Sequence, residues 1–152
     1  MKLFYQFAYQ LIRIYWRIFR PITAGVRVLL VENRSVILVK HTYEDAWYLP
    51  GGGLKRGETL ADAARRETAE EVNGQLQDLR LFGIYTNFSQ LKTDHIVLFI
   101  SEDFTWQAKA DKAEIEAIGQ FSFDRLPANL SRGTKRRLDE YLANAPVQAG
   151  TW

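Results

Sequence analysis

Three glutamates in one short stretch carry the clearest chemical signal in this chain. Residues 51–74 read GGGLKRGETLADAARRETAEEVNG, which sets Glu67, Glu70 and Glu71 at i, i+3 and i+4. On a helix those carboxylates share one patch, and each like-charged pair destabilises it by about 0.2–0.5 kcal/mol. A cation relieves that repulsion. Hard divalent ions take oxygen ligands, and Mg²⁺ is usually held by carboxylates together with substrate phosphates. The spacing therefore suits a hard divalent cation.

A loop and a helix must position these groups. The glycines follow the extended run Trp47-Tyr48-Leu49-Pro50, and Thr59 is a natural N-cap with Asp62 three residues on, a variant of the capping box. Leu60, Ala64, Thr68 and Val72 recur every fourth residue, giving one small, mostly apolar stripe to pack on a sheet.

This stretch resembles the signature of the Nudix hydrolases, filled here by Gly52, Glu58, Arg66-Glu67, Thr68, Glu70-Glu71 and Asn73-Gly74. Thr68 replaces an aliphatic residue. Asn73 stands where glycine is expected, at a helix C′ position that needs the left-handed conformation, and asparagine is the next-best residue there. Gly74 replaces an apolar residue, which predicts a looser exit from the helix. None of the charged positions departs.

The resemblance implies an α/β/α sandwich with a mixed sheet, of the α+β class, and a pyrophosphohydrolase acting on a nucleoside diphosphate linked to another group. It implies Mg²⁺, or Mn²⁺, held by Glu67, Glu70, Glu71 and the Gly51 carbonyl. Arg66 would orient Glu67, while Gly52 and Glu58 would support the loop. The general base varies within the family, coming either from the motif or from the loop before the last strand. That loop is residues 108–117, which offer Glu114 and Glu116, with Glu114 preferred by its position relative to Phe121. Two readings from other classes stay beside the enzyme: a catalytically silent nucleotide-binding module, and a membrane-surface protein acting through its first residues.

The whole chain fits one domain. It has 152 residues, 47% hydrophobic and 25% charged, with a net charge of +2, which gives no polycation for nucleic acid. With no cysteine there is neither a disulfide framework nor a thiolate site, and His41 and His95 are too few for a His-based zinc site. Residues 1–21 stand apart: Phe4, Tyr5, Phe7, Tyr9, Tyr15, Trp16 and Phe19 surround a stripe that includes Lys2, Arg13, Arg17 and Arg20. This predicts an amphipathic helix ended by Pro21. Arg13 and Arg17 make a membrane span costly. The helix is left to lie at a membrane interface, or to pack on its own domain or on a second copy as a homodimer. The expected location is cytoplasmic, at most peripheral at a membrane.

Strands are predicted at residues 23–31 and 35–42, joined by a hairpin, and then at 47–49, 76–88, 95–104 and 119–123. A final helix spans 131–144, with Leu138 and Tyr141-Leu142 inward. The catalytic domain is thus expected over 22–144, with a frayed tail at 145–152. Trp47, Tyr48, Tyr85 and Phe88 are candidates to stack on a base, against the plainer reading that they are core. His95 reads as structural, and Lys135-Arg136-Arg137 as a solvated face or a phosphate contact.

Overall fold

The computed structural model of the chain describes residues 10–12, 21–88, 92–108 and 113–152. Of the expected N-terminal helix, residues 10–12 are helical and exposed; the rest of that expectation lies outside the described residues.

A mixed sheet forms the frame. Strand β1 (Ile22–Glu32) turns at Asn33-Arg34 into the antiparallel β2 (Ser35–His41). Both turn residues take positive φ, 49° and 58°, as a tight hairpin matched to strand twist requires. The other edge of β1 runs parallel to β6 (Thr93–Ser101), from Ile22↔Thr93 to Leu30↔Ser101. Strand β5 (Arg80–Asn87) adds antiparallel to β6. Strand β2 also pairs with β3 (Trp47–Tyr48) and, along its length, with β8 (Ile115–Ser122). Val28 to Val31 form a continuous buried run, as a central strand covered on both faces should.

Two helices cover the two faces. Helix α1 (Leu60–Val72) packs Ala63, Ala64 and Val72 against Val26, Val28, Leu30, Ile37 and Val39. Helix α2 (Arg132–Leu142) packs Leu138 against Leu29, Val31, Leu38 and Leu98. The α/β/α sandwich is thus observed, with Leu142 half-exposed rather than inward.

Three expectations about elements are corrected. The run 76–88 is split into β4 (Gln75–Leu76) and β5, and 95–104 into β6 and β7 (Phe104–Thr105). The cause is Asp78, whose Oδ1 accepts from Ser101 Oγ (2.7 Å), Glu102 N (3.0 Å) and Asp103 N (2.9 Å), turning both chains off the main sheet. β4 and β7 then form their own two-stranded sheet. The last predicted strand begins earlier, at Ile115, so Glu116 lies within β8 rather than in a loop. Finally, the tail is not frayed: β9 (Gln148–Thr151) adds parallel to the free edge of β5.

Candidate active site

Helix α1 starts and stops where its sequence dictates. Thr59 is extended (φ −77°, ψ 159°) and its hydroxyl oxygen accepts from Asp62 N at 3.1 Å. Asn73 takes the left-handed conformation (φ 47°, ψ 46°), and Gly74 is buried where an added Cβ would meet the Thr105 carbonyl. The exit is therefore tight, which corrects the looser one expected.

Between those ends the helix buries acid. Glu67 and Glu71 are 3% and 1% exposed, beside Thr68 on the sheet-facing side. Glu71 Oε2 accepts from Gly51 N–H at 2.9 Å, pinning the glycine loop to the helix. Glu67 lies under Gly52, where a Cβ would stand 2.5 Å from Glu67 Oε1, so a larger residue there would push that carboxylate out of its place beside Arg66. Glu70, about one third exposed, faces Arg66 and Lys55 at 3.5 Å each.

Arg66 organises the group. Its Nε and Nη2 donate to the two oxygens of Glu58 at 2.6 and 2.9 Å, its Nη1 to Glu67 Oε1 at 2.6 Å, and its Nη2 also to Gly53 O at 3.1 Å. Arg66 and the Lys55 N–H hold the Glu58 carboxyl down to about 2, and Glu58 in turn raises Arg66 further above its ordinary value. The expected roles of Arg66 beside Glu67 and of Glu58 in the loop have this geometry to support them.

On the far side of the loop opens a cleft of about 810 Å³. Gly52 and Gly53 border it, and none of Glu67, Glu70 and Glu71 does, so the loop is a thin wall between acid and cleft. Arg27 lines the cleft and donates from Nη1 to Leu49 O and Gly51 O, both at 2.9 Å. His41 and Tyr43 line it too, their rings stacked at 5.1 Å. Burial and then the charge of Glu114 raise the Tyr43 phenol well above its usual range; Arg27 opposes this, and Glu44 and Glu71 add to it. One phenol thus feels Glu114 and Glu71 together. Glu114 precedes β8, and its carbonyl accepts from Thr42 N at 2.8 Å. Glu116 instead turns to Lys40, at 3.9 Å.

Arg27, His41 and Tyr43 were not singled out as site residues from the sequence. Arg27 alone carried a signal, being a charge inside an apolar strand. Of the four aromatics named for stacking, Tyr48 lines the cleft, Trp47 packs edge-on against Phe121, Tyr85 is buried and Phe88 is exposed elsewhere.

The donor chemistry suits a hard divalent ion, since Glu67, Glu70, Glu71 and the Gly51 carbonyl offer oxygen only. Among the described residues, no three His, Asp or Glu side chains already converge as a cation cage. The carboxylates are turned toward Arg66, Lys55 and Gly51 N–H, so Glu67 and Glu70 would have to leave Arg66 to receive an ion.

Known proteins match this chain in sequence and in fold. The NUDIX domain model matches residues 20–142. A candidate 8-oxo-dGTP diphosphatase of Bacillus subtilis (strain 168) is 30% identical over 114 residues, 75% of this chain and 75% of that protein. The crystal structure of a MutT NUDIX hydrolase from Burkholderia pseudomallei aligns with a TM-score of 0.71 at 22% identity, over 78% of this chain and 96% of that one. The NUDIX domain of Shewanella oneidensis NrtR, crystallised with ADP ribose, also gives 0.71, at 15% identity over 84% and 90%. Identities this low speak for the fold alone. The domain match, by contrast, runs from the first strand through α2 and takes in the whole acidic helix, so the chain belongs to the Nudix family of hydrolases.

Proposed function

We propose that this Nudix domain cleaves the diphosphate linkage of a nucleoside diphosphate joined to another group, with Mg²⁺ or Mn²⁺ as cofactor. The observation that carries the reading is the burial of Glu67 and Glu71 directly behind the glycine loop that borders the cleft. Burying carboxylates costs several kcal/mol each unless they are paired, roughly, and apolar residues would serve the core better. When bound by Glu67, Glu70, Glu71 and the Gly51 carbonyl, a divalent ion would neutralise phosphate oxygens and acidify an attacking water.

The chain's own residues do the rest. Glu58 fixes the Arg66 guanidinium, and Arg66 holds Glu67 under Gly52 in an ion pair that a bound metal would replace. Arg27 fixes the carbonyls of Leu49 and Gly51, so the loop keeps its shape. Glu114 is the residue we assign to take the proton from water, because it stands in the segment just before β8, where the family resemblance allows the base to come from.

A screen of nucleoside triphosphates, dinucleoside polyphosphates, nucleotide sugars and ADP-ribose tests this. Turnover should require Mg²⁺ or Mn²⁺ and vanish in excess chelator; undiminished turnover there would sink the mechanism. Tight binding without cleavage would favour a silent nucleotide-binding module. Residues 1–20 carry a separate proposal, contact with an anionic membrane or a homodimer. Flotation with anionic and neutral vesicles, beside light scattering of full-length and Val26-start chains, separates the two. Among the described residues, no helix is long and apolar enough to cross a membrane.

A further inference from the structure

We infer that Trp152, brought to the cleft by β9, is a specificity-determining wall that stacks on a flat heteroaromatic ring of the substrate. The inference rests on the diphosphate reading above, since it concerns the group that the diphosphate carries.

Register gives the placement. Gly53 bridges Gly25, Gly25 pairs with Ile96, Ile96 with Tyr85, and Tyr85 with Gly150. The loop over the carboxylates and β9 are thus four strand spacings apart, roughly 19 Å at about 4.8 Å each. A diphosphate seated by the glycine loop is far shorter than that. Two residues further along each strand, the row Thr23, Asp94 and Asn87 lines the cleft, with Trp152 following the last β9 pair Thr86↔Thr151, so the far end has a polar floor and an aromatic wall. A ring lying on the indole would present its edge to that floor, where the Asp94 carboxylate already accepts from the Thr23 hydroxyl at 2.5 Å.

The indole is rigidly mounted. The Trp152 backbone N–H donates to Thr86 O at 3.0 Å, extending the β9–β5 ladder, and the ring meets Tyr85 edge-on at 5.9 Å. The Arg137 guanidinium sits 3.8 Å from the Tyr85 centroid and 5.6 Å from that of Trp152. It donates to Thr151 O at 3.2 Å and to Glu140 Oε1 at 2.7 Å, while Tyr85 Oη donates to Glu140 Oε2 at 2.8 Å. On α2, a Cβ at Gly133 would collide with the indole, so helix and ring are fitted to each other. Every residue of β9 itself is exposed, so the strand buries little apolar surface of its own. The indole packs in part on the core cluster of Tyr85 and Leu138 and in part lines the cleft, so the mount fixes one aromatic ring at the boundary between core and cleft.

The test uses the full chain and two probes in the presence of Mg²⁺: a purine nucleoside α,β-methylene triphosphate, in adenosine and guanosine forms, and inorganic tripolyphosphate. Titration calorimetry gives the affinity of each. Base–aromatic stacking is worth enough that Trp152→Ala should lower the ratio of nucleotide to tripolyphosphate affinity about tenfold or more. Trp152→Phe, which keeps a ring, should recover most of that ratio and guards against a folding defect in the alanine variant. An unchanged ratio in Trp152→Ala overturns the inference, as does a phenylalanine variant no better than alanine. Because binding is read rather than cleavage, a parent chain that binds these analogues yet cleaves none of the compounds in the screen above refutes the hydrolase reading and leaves this test intact. A parent chain that binds neither probe overturns both.

Discussion

Each of the two helices buries charge, of opposite sign and by different means. Helix α1 hides two carboxylates, Glu67 and Glu71, while α2 hides one guanidinium, Arg137, at 3% exposure. The partners of α1 are local: Gly51, Gly53, Glu58 and Arg66 all belong to its own loop and helix. Arg137 has Glu140 on its own helix, but Tyr85 and Thr151 come from β5 and β9. One cluster is written into a single stretch of chain, and the other exists only once distant strands have paired. On the function proposed above, burial serves turnover in the first and architecture in the second.

That contrast can be broken by experiment. The largest effect should come from Glu70→Gln or Glu71→Gln, with kcat falling about a hundredfold or more, the scale of losing a metal's electrostatic contribution. Folding should survive, because like-charge repulsion on α1 is relieved. Near-normal rates in both variants would show the metal site to be misassigned. Next, Glu114→Gln should slow turnover by about a hundredfold, the lower end for a general base, without weakening metal affinity. A variant matching the parent would return that role to α1.

On the other helix, Arg137→Ala should act on stability instead. It leaves Glu140, about one quarter exposed, without its ion pair, and Tyr85 without the stacked cation. A loss of about 2 kcal/mol in urea unfolding is expected, below the range for breaking a fully buried pair because solvent still reaches Glu140. If stability held and only the rate fell, the division between the helices would fail.

The smallest effect is acid sensitivity. Glu58 is held down at about 2 by Arg66 and the Lys55 N–H, below the usual glutamate value. Its contribution is thus fully present above the unfolded value and is lost as pH falls from there through about 2. Stability measured across that window should slope upward with pH, and Glu58→Gln should flatten the slope.

The same contrast explains how much could be read from sequence. The caps Thr59 and Asn73 and the acid spacing are relations within a few residues, and each reappears in the structure; of the apolar stripe Ala64, Thr68 and Val72 are buried, while Leu60, in the first turn, is exposed. The breaks at Asp78 could not be seen, because its partners Ser101, Glu102 and Asp103 come from another strand. Strand β9 reads Gln-Ala-Gly-Thr, with neither alternation nor β-branched enrichment, and only the open edge of β5 makes it a strand. Arg27 and Tyr43 enter the cleft through the way β1 and the 41–48 segment meet the glycine loop, which spacing alone does not encode.

The parallel seam between β1 and β6 also sets an order of assembly during synthesis. Thr23 and its partner Asp94 are 71 positions apart, whereas the hairpin at Asn33-Arg34 can close as soon as β2 exists. At about 5–20 residues per second on a ribosome, the second edge of β1 waits roughly 4–14 s for its partner. Val28 to Val31, among the most apolar residues of the chain, belong to that waiting strand. An unpaired apolar edge is a template for joining another chain. The hazard for this protein is therefore greatest while it is being made, and a chaperone that shields β1 until Ser101 has emerged would raise its yield more than one that acts on the finished chain.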